Sequence, residues 1–256
     1  MTGTDLPHPP PIQVASDLTS RDLLAALAAG WGDFLRTPQY GLFFGAIFAG
    51  AGVALSYFAL VRGEVSWLIP AAAGFPLLAP FTAVGLYEVS RRREAGLPLT
   101  WRAILGAIRG RGDEQIMSMG VILFVAFGFW VIIAHLVFSI AVVEAGAGSE
   151  SLEFLTTSAG LAMLTVGSVI GAIIALIFYA ITVFSLPMLV DREVDFMTAI
   201  LTSLKALRDN SGVLLGWAIA IAALLFLAMI PAFLGLLVVL PVLGHATWYL
   251  YRRTVR

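Results

Sequence analysis

Three ionisable side chains lie within or at the edge of long apolar stretches of this 256-residue chain: Glu88, His135 and His245. Charge in such surroundings is costly, so each is a candidate for ligand, proton or metal chemistry. Histidine is the residue that would hold a haem, but two axial ligands must face each other at matching depth. The spacing puts His135 in the outer half of one stretch and His245 in the inner half of another, so an interhelical hydrogen bond is the plainer reading for both. Glu88 ends its stretch in Gly85-Leu86-Tyr87-Glu88-Val89-Ser90-Arg91-Arg92-Arg93. Arg91 or Arg92 can meet it one turn later, and that ion pair competes with a proton relay to His245. No catalytic residue, metal set or cofactor is expected. The absence of cysteine removes thiolate catalysis and iron–sulfur clusters, and no phosphate loop, nucleophile elbow or zinc-protease pair occurs. A nucleic-acid partner is not expected either.

The elements that carry these residues follow from composition. Hydrophobic residues make up 60% of the chain and charged residues 12%, whereas soluble domains carry about 25% charged residues. Uncharged apolar runs cover 40–61, 65–87, 117–143, 160–190, 213–230 and 232–251, each long enough to cross about 30 Å of hydrocarbon. The expected fold is all-α, a polytopic membrane bundle of six transmembrane helices in contact with the lipid bilayer. The last two runs meet around Pro231 with no charge between them, so the stretch to Gly235 must be a tight hairpin.

Orientation follows from the basic residues, which accumulate on the cytoplasmic side. Of 15, all but Arg62 fall before the first run, between the second and third, between the fourth and fifth, or after the last. Both termini are therefore expected on the cytoplasmic side of a bacterial inner membrane. Residues 1–19, with four prolines and no Lys or Arg, read as a disordered cytoplasmic tail, and 20–256 as a single membrane domain.

Each cytoplasmic segment before an outward run has helical amphipathic periodicity. Leu23, Leu24, Leu27, Trp31, Phe34 and Leu35 form one apolar side; Trp101, Ile104, Leu105 and Ile108 form a second; Met197, Ile200, Leu201, Leu204 and Leu207 form a third. Contact with the lipid interface and packing on the bundle fit this periodicity equally. The layout groups the chain into three hairpin repeats, 20–89, 100–190 and 195–251, each opening with such a helix. Gly41 with Gly45, and Gly167 with Gly171, have the small-xxx-small spacing of tightly packed membrane helices. Pro70, Pro76, Pro80, Pro187 and Pro241 should bend their helices. Trp67, Trp101, Trp248, Tyr249 and Tyr251 fit an aromatic belt.

Four segments carry a family likeness: Tyr40-Gly41-Leu42-Phe43-Phe44-Gly45, the Gly85–Arg92 motif above, Pro187-Met188-Leu189-Val190-Asp191-Arg192-Glu193-Val194-Asp195-Phe196, and Leu240-Pro241-Val242-Leu243-Gly244-His245-Ala246-Thr247-Trp248. With them the chain resembles a proteobacterial family of predicted integral membrane proteins of unknown function, some labelled as cytochrome c oxidase proteins. Haem-copper oxidase cores use six intramembrane histidines, and this chain offers two in its apolar runs, so the resemblance does not imply a catalytic subunit. The first expectation is a structural, accessory or assembly protein of a membrane complex, with a membrane-protein partner or a second copy of itself. A small-solute transporter or channel is the alternative, and a haem-binding or oxidase-related protein the third reading.

Overall fold

The computed structural model describes residues 12–62, 79, 83–109, 114–145 and 156–256. Regular structure there is helical apart from an isolated bridge between Val14 and Val255. Helix α1 spans Ser20–Arg36, and its first turn is closed by the Thr19 N–H donating to Asp22 at 2.8 Å. One residue, Thr37, separates it from α2, Pro38–Arg62, which opens on a proline because the first turn needs no N–H there. Next come α3 (Val84–Glu94), α4 (Trp101–Gly106) with a 3-10 turn at Ala107–Arg109, and α5 (Gln115–Ala145). The remaining helices are α6 (Ser158–Thr182), α7 (Ser185–Asp191), α8 (Phe196–Asp209), α9 (Ser211–Met229) and α10 (Leu236–Thr254).

Four helical stretches among the described residues are long and apolar enough to cross a membrane: Pro38–Tyr57, Gln115–Ile140, Ser158–Asp191 and Ser211–Met229. The expected span 65–87 lies mostly outside the described residues, and residues 146–155 lie wholly outside them. The run 232–251 forms α10, which is less apolar because it carries His245, Thr247, Trp248, Tyr249 and two arginines. It tolerates them by lying at the centre, with most of its residues from Leu240 onward buried.

Proline chemistry fixes two local features. The expected run 160–190 is broken at Val183–Phe184. Pro187 has no N–H to offer the Val183 carbonyl four residues earlier, and the Phe184 N–H goes instead to the Ser203 hydroxyl at 3.3 Å. Between α9 and α10 the chain reverses within 230–235, with Ala232 and Phe233 in the left-handed region at φ 49° and 65°. That is a costly conformation for residues with a Cβ, so packing must hold it.

The core is built from the helix ends that return toward the basic side. Residues 84–90 of α3 and 185–190 of α7 are all buried, and α3, α7 and α10 contact one another pairwise. The amphipathic helices pack around them: α1 on α10, α4 on α3 and α8 on α6. Helix α4 thus rests on the helix just before it and α8 on the long α6, while α1 packs on the last helix.

Their orientation differs from a simple apolar-face-in rule. Apart from Phe34, the buried residues of α1 are small or polar (Ala26, Gly30, Asp33), and those of α8 are all small or polar (Ala199, Thr202, Ser203, Ala206), with Leu23, Leu27, Ile200 and Leu207 partly buried beside them. Leu24, Trp31 and Leu35, like Met197, Leu201 and Leu204, point outward. The two helices also match in register. Both end on a residue of nearly the same backbone, Thr37 (φ −136°, ψ 49°) and Asn210 (φ −132°, ψ 35°). Buried Ala26 and Ala199 precede these breaks by 11 residues, and buried Gly30 and Ser203 by 7.

The expectation of a disordered tail over 1–19 needs correction for 12–19; residues 1–11 lie outside the described part. Gln13 and Ala15 pair with the backbone of Arg256 and Thr254. Asn210 fastens the strand by accepting from Leu18 N–H at 3.1 Å and donating to the Ala15 carbonyl at 2.7 Å. A proline-rich start hid this docking, because the partners are more than 190 residues away.

Candidate functional site

Two features meet on α10, one on each side of it. The first is a polar cluster. Asp33 of α1, 3% exposed, accepts from Ser90 Oγ at 2.6 Å, from Tyr249 Oη at 3.0 Å and from Arg93 Nη1. Ser90 Oγ also lies 2.8 Å from His245 Nδ1. A hydroxyl has one proton, and Ser90 gives it to Asp33, so Nδ1 of His245 is the donor to Ser90. This order decides the chemistry. A nucleophilic serine needs a base that takes its proton and an acid behind that base. Here the serine stands between histidine and carboxylate and is a bridge, binding α1, α3 and α10 together.

The cluster continues along the end of α10. Arg252 reaches Glu94 of α3 and Asp191 of α7, both at 3.2 Å. Trp248 Nε1 donates to Glu94 at 3.1 Å, and Tyr251 Oη to Asp191 at 2.9 Å. Arg253 turns the other way, to Asp22 at 3.0 Å and Asp17 at 3.1 Å. The Arg253 guanidinium beside Asp17 holds that carboxyl below its ordinary 3.8. Asp22 is lowered first by the Thr19 hydroxyl and backbone N–H and then by Arg253. One helix end therefore supplies donors to acids from the N-terminal segment, α1, α3 and α7.

The sequence-derived candidates distribute as follows. Glu88, 5% exposed, is held by Arg91 Nε and Nη2 and by Arg92 Nε, each at 2.7 Å. Its bonds go to its own helix, and the carboxylate beside His245 is Asp33, whose Oδ2 lies 4.0 Å from Nδ1. His135 lies on α5 and stacks at 6.5 Å on Phe138, with its carbonyl taking the Ser139 hydroxyl. A haem between the two histidines does not fit, since His245 is fully enclosed with Nδ1 on Ser90. No group of three or more His, Cys, Asp or Glu able to hold a metal occurs among the described residues. Trp248 and Tyr251 are completely buried in the junction rather than in an aromatic belt; Trp67 is outside the described residues.

The glycines locate close approaches. A Cβ at Gly45 would lie 2.8 Å from Leu237 Cα of α10, and one at Gly41 would lie 2.7 Å from the Phe34 ring of α1 and 3.0 Å from Pro241 Cβ of α10. Gly171 faces the Trp130 ring of α5, whereas Gly167 has only Val137 at 3.9 Å. A tight backbone crossing lies outside these pairs. At Gly30 a Cβ would meet Ala246 N at 2.6 Å and Val242 O at 2.7 Å. The cluster itself was equally hidden. Asp33 sits in a segment read only for its apolar side, and nothing local ties it to Ser90 or Tyr249.

The second feature is a cavity of about 510 Å³ on the opposite side of α10. Leu240, Leu243, Gly244 and Thr247 form one wall, α6 from Ala172 to Val183 another, α9 from Leu215 to Leu225 a third, and Ala79, Ala83 and Tyr87 the fourth. Tyr179 and two threonines on these walls direct their hydroxyls to backbone carbonyls: Tyr179 to Leu214, Thr182 to Phe178 and Thr247 to Leu243. The rest of the lining is apolar apart from the Tyr87 hydroxyl, with Leu176, Leu215 and Ile219 exposed at its rim.

A family model described as predicted integral membrane protein (DUF2189) matches residues 68–191, just under half of the chain. No curated protein and no solved structure matches. The match covers α3 to α7, including Glu88, Ser90, Arg93 and Asp191. Similarity to that family and the four long apolar helices together identify an integral membrane protein that crosses the bilayer more than once.

Proposed function

We propose that this is a six-span protein of the bacterial inner membrane, with both termini cytoplasmic, that binds a lipophilic molecule taken laterally from the bilayer. The cavity carries this reading. Its 510 Å³ falls in the size range of small-molecule sites, and with three of its hydroxyls bonded to backbone carbonyls and that of Tyr87 its one other lining hydroxyl among the described residues, it offers little to recognise a charged or strongly polar solute. The rim residues Leu176, Leu215 and Ile219 stand on helices long enough to span, so the mouth faces lipid. The basic residues, gathered at the α3–α7–α10 junction and on the amphipathic helices, support the orientation. This develops the transporter alternative toward a bound apolar ligand and makes no claim of net transport.

The test is gentle purification from native membranes, solvent extraction and mass spectrometry. Wild-type protein should carry an apolar molecule in stoichiometric amount, and Ala175→Phe with Ala218→Phe, which fill the cavity from facing walls, should lose it while keeping the helical circular dichroism. An identical extract from both proteins overturns the reading. The dense ion-paired junction around α10 favours a second one, a static accessory or assembly subunit. For that role a membrane-protein partner should co-purify equally with wild type and the filled variants.

A further inference from the structure

The positive side chains of the described residues fall into two groups. Arg91, Arg92, Arg93, Arg192, Lys205, Arg208, Arg252 and Arg253 are in ion pairs. Arg21, Arg36, Arg102, Arg109 and Arg256 are exposed and make no ion pair among the described residues. Arg256 ends the chain, where its backbone pairs with Gln13; the other four stand on α1 and on the α4 segment. Beside them Leu24, Trp31 and Leu35 are 67%, 47% and 58% exposed, and Trp101 and Leu105 are exposed as well. The two patches adjoin, because Trp101 packs edge-on against Tyr40 at 4.5 Å and Phe43 at 5.1 Å, one turn after Arg36. The surface is therefore continuous with the outward, apolar face of α2.

We propose that this surface seats in the headgroup layer of an anionic leaflet, with Leu and Trp side chains among the upper acyl carbons and the arginines on lipid phosphates. Three observations favour lipid over a protein partner. The patch merges with a spanning helix, it combines tryptophan with arginine as membrane interfaces do, and its unpaired charges on α1 and the α4 segment among the described residues, Arg21, Arg36, Arg102 and Arg109, are positive, opposite to anionic lipid. The sealing of the fold does not depend on it, since α1 packs inward through Ala26, Gly30 and Asp33. Helix α8 adds outward Met197, Leu201 and Leu204, but Lys205 and Arg208 already pair with Asp209. That helix thus supplies apolar contact without headgroup pairing.

The experiment reconstitutes the full chain in vesicles of zwitterionic lipid doped with brominated phosphatidylglycerol or brominated phosphatidylcholine at equal mole fraction, and reads tryptophan quenching. Competition should favour the anionic lipid about fivefold, the factor that one basic side chain near the leaflet surface supplies. Raising the ionic strength should narrow it. The quadruple Arg→Gln variant at 21, 36, 102 and 109 should lose the preference, and the quadruple Arg→Lys variant should keep it. Equal quenching by the two lipids in wild type, a salt-independent preference, or one that survives in the Arg→Gln variant overturns the proposal. Should the Arg→Gln variant fail to fold, wild type and Arg→Lys alone decide it.

Discussion

Asp33→Asn is the sharpest probe of the polar cluster. The substitution keeps volume and one acceptor oxygen but replaces the other with an NH2 group. Whichever way the amide turns, it faces a donor: Arg93 on the Oδ1 side, or Ser90 and Tyr249 on the Oδ2 side. A hydrogen bond involving a charged group contributes about 1.5–3 kcal/mol, and stranding a buried polar partner costs about 1–3 kcal/mol. Arg93 retains 19% side-chain exposure and can turn partly to solvent, which discounts its share. We expect a loss of about 2–3 kcal/mol in unfolding free energy. Reversible unfolding by increasing SDS in mixed micelles, followed by circular dichroism, measures it. Asp33→Asn, Arg93→Gln and the double variant form a cycle whose coupling energy should be at least about 1 kcal/mol. A single variant as stable as wild type, or a cycle with no coupling, refutes the view that this cluster clamps α1, α3 and α10.

Three further outcomes follow from particular contacts. Gly30→Ala should destabilise by about 1–3 kcal/mol, because its methyl group would press on backbone atoms of α10 that have no room to yield. Gly32→Ala, with nothing within 4 Å of the new methyl, should be neutral or stabilising by up to about 1 kcal/mol, and the same micelle titration separates the two. Trp248→Phe removes the donor to Glu94 and should cost about 1–2 kcal/mol, read as a lower unfolding midpoint. The docking of the N-terminal segment should depend on acid. Asp17 and Asp22 have folded pKa values below the ordinary 3.8, so their contribution is fully present above that value and fades as pH falls through the lowered ones. Amide exchange at Gln13 and Ala15 should stay slow, relative to the intrinsic rate, down to about pH 4 and lose protection below it, whereas Arg253→Gln should show weaker protection already at neutral pH.

Local chemistry alone determined much of this protein. Long uncharged runs identify helices wherever water cannot solvate the backbone. The Thr19–Asp22 first turn and the break ahead of Pro187 follow from rules acting over a few residues, and the uncharged stretch at Pro231–Gly235 marks where the chain must reverse. The pairing of Glu88 with Arg91 and Arg92 is likewise a one-turn relation. What tertiary structure decided is which face of each helix meets protein. Periodicity marks Leu24, Trp31, Met197 and Leu201 as one apolar side, but lipid accepts them as readily as a core does, so hydrophobicity does not specify the partner in a membrane. Close approach does, and it selected Ala26, Gly30, Ala199 and Ser203 for the inside. The meeting of Asp33, Ser90 and His245, and the cavity behind α10, come from helices remote in sequence, where no local spacing records the contact. Only the packing of the three returning ends, with α1 closed against the last helix, brings them together.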